Sequence, residues 1–312
     1  MSKAANTTAF IKMHGLGNDF VLLDGRAAAL ALSQSQARAL ADRRKGIGCD
    51  QIIILEPGRP APGGAKGDVF MRIYNADGGE VSACGNATRC VAQLVMNEKK
   101  TSHVTIITQS GLLLCERSGG QIAVDMGAPH FGWRDIPLAR EMNTEKLELQ
   151  VGPRSSPLLQ GPAAVSVGNP HCIFFVDDVN AYDLGIIGPM VETHPLFPER
   201  ANVSFAKIET PERIRLRVWE RGVGETPACG TAACAVAVIA HKKGLAKRSV
   251  TIFLDGGALD VVWREDDHIV MTGPAEESFR GLINLQMLHE DGAVMMAAQT
   301  AAKSAAAEKV VS

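Results

Sequence analysis

Residues 71–87, MRIYNADGGEVSACGNA, and residues 216–232, LRVWERGVGETPACGTA, are copies of one segment at a constant offset of 145. Seven of the 17 aligned positions are identical: Arg72/Arg217, Gly79/Gly224, Glu80/Glu225, Ala83/Ala228, Cys84/Cys229, Gly85/Gly230 and Ala87/Ala232. Met71/Leu216, Ile73/Val218 and Tyr74/Trp219 are alike in kind. The repeat constrains the fold because both copies should adopt one local structure. An alternating apolar segment reads as a strand, a glycine-rich turn follows, and Cys-Gly opens an apolar run of helical length. Each copy thus puts a cysteine at the mouth of a helix, beside free N–H groups and the positive end of the dipole. That setting predicts a thiol pKa below its ordinary value of about 8.5 and offers N–H donors to a carboxylate. Two such cysteines on pseudo-symmetric halves imply one site between them. A thiolate on one side and a thiol on the other suit base and acid work across a single carbon, as a racemase or epimerase requires.

The repeat continues beyond the helices. Val104–Ile107, Leu112–Glu116 and Ile122–Met126 read as strands after the first helix, and Val250–Leu254, Leu259–Trp263 and Ile269–Met271 as strands after the second. Gly111 maps to Gly257 and Gly127 to Gly273 with a one-residue slip, so the duplication runs from about residue 71 to 127 and again from 216 to 273. Residues 10–24 and 165–176 share a strand, a Gly-Asn loop and a second strand. Helices are predicted over Ser33–Lys45, with Ser33 as N-cap and Gly46 as stop, from Cys84 to about Asn97, over Tyr182–Glu192 and over Thr231–His241. The last is apolar on every side and is predicted to be buried all round. Pro57–Gly67 reads as a hairpin tip, Leu147–Val151 as an alternating stretch, and Gly127 as a domain boundary. The Ala-rich stretch from Gly292 reads as a frayed helix or extension. The fold class is mixed α+β.

Composition excludes several functions. A net charge of −2 and no basic cluster denser than Arg43-Arg44-Lys45 leave nucleic acid and membrane surfaces without support. No apolar run reaches the roughly 18 residues of a spanning helix. The first residues, MSKAANTTAF, lack a signal-peptide core, and a cytoplasmic location is expected. The seven cysteines are odd in number, so reduced thiols are the default. Cys90 and Cys234 fall inside the helices and read as core packing, as do Cys49, Cys115 and Cys172. The spacings Cys84-x5-Cys90 and Cys229-x4-Cys234 do not match zinc sites. For Cys84 and Cys229 the plain alternatives are small buried core residues or a disulfide between them. Neither explains why the most similar segment of the duplication carries Cys-Gly with a glutamate four residues before it.

HGLGNDF (14–20), GCDQ (48–51), NADG (75–78), ACGNATRC (83–90), GNPH (168–171), FPERAN (197–202) and ERGVGETPACGTAACA (220–235) together resemble the diaminopimelate epimerase family, in the family's order, over residues 10 to about 285. The resemblance implies two pseudo-symmetric halves, each a largely antiparallel sheet or barrel wrapped round a central helix. The halves span 1–127 and 128–278, a strand at about 279–287 returns to the first half, and 288–312 forms the tail. It implies Cys84 and Cys229 as acid/base residues. Substrate contacts are implied for Asn18, Gln51, Asn75, Gly85, Asn86, Asn169, Asn202, Glu220, Arg221, Gly230 and Thr231. His171 and Glu220 are implied to sit beside the thiols and tune them. No cofactor or metal is expected, and a homodimer is. Ala87, Thr88 and Ala232 depart from the family's common Gly, Ala and Gly.

The reaction implied is the interconversion of LL- and meso-2,6-diaminopimelate, in lysine and peptidoglycan-precursor biosynthesis. Its chemistry suits these residue types. A substrate with two ammonium-carboxylate centres needs both charges in its pocket, and an arginine fork matches a carboxylate while Glu220 accepts from an ammonium. A proline or hydroxyproline racemase is the alternative on the same fold, but such enzymes carry Asp-Arg-Ser-Pro-Cys-Gly where this chain has Glu-Thr-Pro-Ala-Cys-Gly. A non-catalytic zinc- or redox-binding module is the alternative from another class.

Overall fold

The computed structural model describes residues 7–61, 64–82 and 84–288; the tail expected from residue 288 lies almost wholly outside them. The first half contains β1 (Thr8–Gly15), β2 (Asn18–Asp24), α1 (Gln34–Ala41), β3 (Gln51–Pro57), β4 (Val69–Asn75), β5 (Glu80–Val81), α2 (Gly85–Lys99), β6 (His103–Thr108), β7 (Gly111–Ser118) and β8 (Gln121–Asp125). A small two-stranded sheet, β9 (Gln150–Val151) with β10 (Leu159–Gln160), comes next. The second half repeats the first: β11 (Ala163–Ser166), β12 (Pro170–Phe175), α3 (Leu184–Glu192), β13 (Asn202–Thr210), β14 (Arg213–Glu220), β15 (Gly224–Thr226), α4 (Gly230–Lys242), β16 (Ser249–Leu254), β17 (Gly257–Trp263) and β18 (Ile269–Gly273). β19 (Glu276–Ile283) then pairs antiparallel with β1.

Strand pairing shows that the duplication spans each half in full, further than the sequence match of 71–127. β1–β2 is antiparallel, β2–β3 parallel, β3–β4 antiparallel and β4–β6 parallel. The corresponding pairs β11–β12, β12–β13, β13–β14 and β14–β16 have the same senses. Each half closes with two antiparallel pairs, β6–β7–β8 and β16–β17–β18. β8 pairs with β18, so the two sheets form one ladder across the halves. The parallel pairs are why the arms before residues 71 and 216 share so little sequence: buried on both faces, strands such as β3 need only be apolar and β-branched.

Each sheet curls round its own helix. α2 packs on β1, β6, β7 and β8, and α4 on strands from β11 to β18. Residues 230–240 of α4 are all buried, as its unbroken apolar run demands. α2 runs two residues past the predicted end because Lys100 caps it in a left-handed conformation, φ 54°. α1 is shorter than predicted. Ser33 and Gln36 form a reciprocal capping box, but Asp42 is already extended and takes Arg44 and Lys45 N–H groups on its side chain. α3 starts at Leu184 because Asp183, not Tyr182, caps it. Of the alternating stretch 147–151, only Gln150–Val151 is strand.

Candidate active site

Cys84 and Cys229 are the N-caps of α2 and α4. Both stand in extended backbone, at the end of a segment led in by the hairpins β4–β5 and β14–β15. The two helix mouths abut. A Cβ on Gly85 would lie 3.8 Å from the Gly230 Cα, and a Cβ on Gly230 would meet Met271 Sδ at 2.8 Å. Glycine at both positions is what makes room for the Met271 side chain against the two mouths, since a Cβ on Gly85 would also meet Met271 Cε at 3.1 Å. Both thiols are free, with Cys229 buried and Cys84 partly exposed.

A cavity of about 470 Å³ opens over the seam. Cys84, Gly85, Asn86, Asn18, Gln51 and Asn75 border it from the first half, and Cys229, Gly230, Thr231, Asn169 and Glu220 from the second. A second cavity of about 360 Å³ shares Gln51, Asn75, Gly85, Asn169, Glu220 and Thr231 with it and adds Asn202 and Arg221. The two are one cleft, and the sequence-predicted site residues all border it except His171.

His171 is wholly buried within β12, opposite Asn202 on β13, and does not border the cleft. It reaches a thiol only through intermediaries. Its Nε2 lies 2.9 Å from Asn169 Oδ1, Asn169 Nδ2 is 3.3 Å from Thr231 Oγ1, and that hydroxyl is 3.4 Å from Cys229 Sγ. An amide oxygen only accepts, so Nε2 carries the proton. Nδ1 is buried and has no partner among the described residues. Burial, and after it the Arg221 charge, lower the His171 pKa to about 3. The ring is neutral.

The prediction of an acidified thiol is overturned. Burial raises Cys84 to about 12, although the Ala87 N–H, 3.5 Å from Sγ, and the Asn86 N–H pull the other way. Burial and then the Glu220 charge raise Cys229 well above its ordinary value, against the Thr231 and Ala232 contacts. Desolvation of a thiolate outweighs the donors of a helix mouth when the mouth is closed in. Glu220 is raised too, first by burial, while the Cys229 thiol and the Thr226 hydroxyl, 2.5 Å from Oε1, favour its anion. The centre is therefore a set of groups held neutral or sharing protons.

The polar lining is organised by contacts the sequence did not reveal. Asp50 accepts from Asn18 Nδ2 at 2.8 Å and from the Asp19 N–H at 3.0 Å, and is itself held by Arg43. Gln51 Nε2 donates to Asn75 Oδ1 at 2.9 Å, and Gln51 Oε1, buried on the cleft, has no partner among the described residues. Asn202 has both ends of its amide engaged: Nδ2 donates to Pro170 O at 3.0 Å and Oδ1 accepts from the Arg221 N–H at 2.9 Å. It places Arg221. Asp50 lies inside the GCDQ segment and Thr226 inside GETPACG, but what they hold is 32 and 6 residues away, and no local pattern shows it.

A family model described as diaminopimelate epimerase matches residues 10–132 and 163–277. The diaminopimelate epimerase of Acidiphilium cryptum is 52% identical over 280 residues, covering 89% of this chain and 97% of that relative. That of Erythrobacter litoralis is 52% identical over 274 residues, covering 88% and 96%. Among solved structures, a hydroxyproline epimerase from Agrobacterium vitis superposes with a TM-score of 0.63 at 12% identity, covering 90% of this chain and 94% of its own. A methylitaconate-delta-isomerase superposes with 0.58 at 14% identity, covering 92% and 98%. At such identities the structural likeness establishes the fold alone.

Proposed function

The chain belongs to the diaminopimelate epimerase family, and from that premise we propose that it interconverts LL- and meso-2,6-diaminopimelate using Cys84 and Cys229 as the acid/base pair. The observation that carries this reading is the pair of N-cap cysteines on abutting helix mouths that border one cleft.

In the LL-to-meso direction Cys229 gives its proton to the Glu220 carboxylate, whose protonated form burial favours. The Cys229 thiolate then takes the Cα proton, and Cys84 delivers its thiol proton to the opposite face of the same carbon. The product leaves inverted, with Cys229 as thiol, Cys84 as thiolate and Glu220 protonated; Glu220 then releases its proton to solvent and Cys84 takes one up, which restores the starting state. The Cα–H is a very weak acid. Negative charge that spreads onto the substrate carboxylate is met by backbone N–H groups of Gly85, Asn86, Gly230 and Thr231 at the two mouths. A helix terminus contributes about 0.3–2 kcal/mol per charge, so fixed geometry and exclusion of water supply most of the remainder.

The far end of the substrate lies in the second cavity, with Arg221 against the second carboxylate. Asn75, Asn169 and Gln51 line its path, and Gln51 Oε1 is an acceptor free for an ammonium. Asn202 and Asn18 hold this lining in place. His171 acts on Cys229 through Asn169 and Thr231. The same reading divides the chain at 1–127 and 128–278, with 279–287 returning to the first half. It places the enzyme in the cytoplasm; among the described residues no helix is long and apolar enough to cross a membrane. It also implies a homodimer.

The test is solvent-deuterium incorporation at Cα, followed by NMR in D2O with reductant and EDTA, with LL-diaminopimelate and L-proline in parallel. Deuterium is expected in diaminopimelate alone and is expected to vanish in Cys84→Ala and Cys229→Ala. Exchange into proline would assign the racemase alternative, and exchange into neither would refute the proposal.

A further inference from the structure

Arg89 lies in the second turn of α2 and is fully buried. Its counterpart 145 residues on is Cys234. The duplication is broken here, so one guanidinium, and not two, occupies the space beside the helix pair. Among the described residues no carboxylate pairs with it. Nε donates to Pro274 O at 3.1 Å and Nη2 to Asn86 Oδ1 at 3.0 Å, and Nη1 lies 3.6 Å from Met271 Sδ. Room is left by two glycines: a Cβ at Gly15 would come within 2.9 Å of Nη2, and one at Gly273 within 3.2 Å of Nε. A buried charge with no opposite charge is costly, and it is tolerated where the compensating charge arrives in the working state.

What Arg89 holds leads straight to the site. With Oδ1 on Arg89, the Asn86 amide must point Nδ2 the other way, where it donates to Asn18 Oδ1 at 3.1 Å and to Ala228 O at 3.0 Å. Asn18 Oδ1 is also 4.0 Å from Cys84 Sγ, and Ala228 immediately precedes Cys229. One guanidinium thus orients an amide that bridges both halves beneath both thiols.

We propose that Arg89 is the resident cation of the active site: it orients Asn86 and through it Asn18, and its charge compensates the negative charge that forms at Cys84 and on the substrate carboxylate. Glu220 opposes an anion at Cys84 and Arg89 favours it. Burial disfavours the Arg89 cation, and negative charge at Cys90, Cys84 and Cys234 favours it. Other charges on strands packed against α2 are committed elsewhere: Lys12 to Asp19, His14 to Glu276, His103 to Glu116, Arg117 to Asn97 and Asp125 to His268. This role rests on reading Cys84 as an acid/base residue.

The test is the rate of Cys84 alkylation by iodoacetamide at pH 8 in the reduced full chain, read by peptide mass, together with kcat and KM for deuterium exchange. In Arg89→Met the rate is expected to fall about tenfold, the equivalent of one pKa unit. The neutral Arg89→Gln, which keeps a donor for Asn86, is expected to fall alike and serves if Met prevents folding. Arg89→Lys keeps the charge without the fork, so its alkylation is expected within about twofold of the parent while its KM for exchange rises above the parent's. Wild-type alkylation in a folded Arg89→Gln or Arg89→Met, or a Lys variant as slow as Gln, would overturn the proposal. Alkylation is read without turnover, so exchange surviving in Cys84→Ala would instead sink the acid/base reading itself.

Discussion

Glu192 ends α3 with a carboxylate that is 5% exposed, at the helix terminus where a negative charge is least favoured. Its donors explain its presence. Oε2 accepts from Trp219 Nε1 at 2.6 Å and Oε1 from the Gly222 N–H at 2.9 Å, with Arg200 at 3.7 Å. Trp219 and Gly222 flank Glu220 and Arg221, so this one carboxylate pins both ends of the dipeptide that bears the thiol's proton partner and the guanidinium. Gly188 in α3 lets the indole lie flat, since a Cβ there would stand 2.5 Å from Trp219 Cγ. Glu192→Gln leaves one acceptor for two donors and turns an NH2 toward the other. Losing one charge-assisted bond in a buried setting costs about 2–3 kcal/mol. At about 2–4 °C per kcal/mol for a chain of this size, Tm is expected to fall by about 4–12 °C. A shift of about 1 Å in Glu220 costs catalysis about 10²-fold. Differential scanning calorimetry and deuterium exchange read the two effects. Trp219→Phe removes one donor, and the Glu192→Gln/Trp219→Phe pair is expected to couple by more than about 1 kcal/mol. Additive stabilities together with an unchanged exchange rate would refute the clamp.

Three further expectations follow from other contacts. The folded His171 pKa of about 3 lies below its ordinary 6.5, so below pH 6.5 the unfolded chain binds a proton that the folded chain refuses. That stability is complete above about pH 6.5 and falls by up to about 1.4 kcal/mol per pH unit on acidification toward 3; urea titrations from pH 7 to 4.5 should show the slope, and His171→Gln should flatten it. Thr226→Val removes the 2.5 Å hydrogen bond that favours the Glu220 anion, so the acid limb of the exchange pH profile should move to higher pH, and an unmoved limb would deny Glu220 its part. Gly230→Ala puts a methyl 2.8 Å from Met271 Sδ and is expected to cost about 1–3 kcal/mol and to lower exchange steeply, with Gly230→Ala/Met271→Val recovering the stability; an unperturbed single variant would contradict the close packing of Met271 on the α4 mouth.

The sequence alone determined the helix mouths, the central burial of α4, the strands on either side, the twofold plan, and the cleft-lining residues that resemblance carried over. These are legible because each is written in contiguous residues: Cys-Gly before an apolar run, glycines at equal spacing, alternation over a few positions. The full extent of the duplication was not, since parallel buried strands such as β2, β3, β12 and β13 are specified by apolarity and leave no shared letters. The sign of the thiol shift was not, because capping N–H groups are local while desolvation depends on what the other half lays over the mouth. The withdrawal of His171 behind Asn169 and Thr231, the pinning of Arg221 by Asn202, and the Glu192 clamp were likewise decided only in the tertiary structure. A side chain's partner across 19, 30 or 62 residues is set by how two curled sheets meet, and that is a property of the packed chain as a whole.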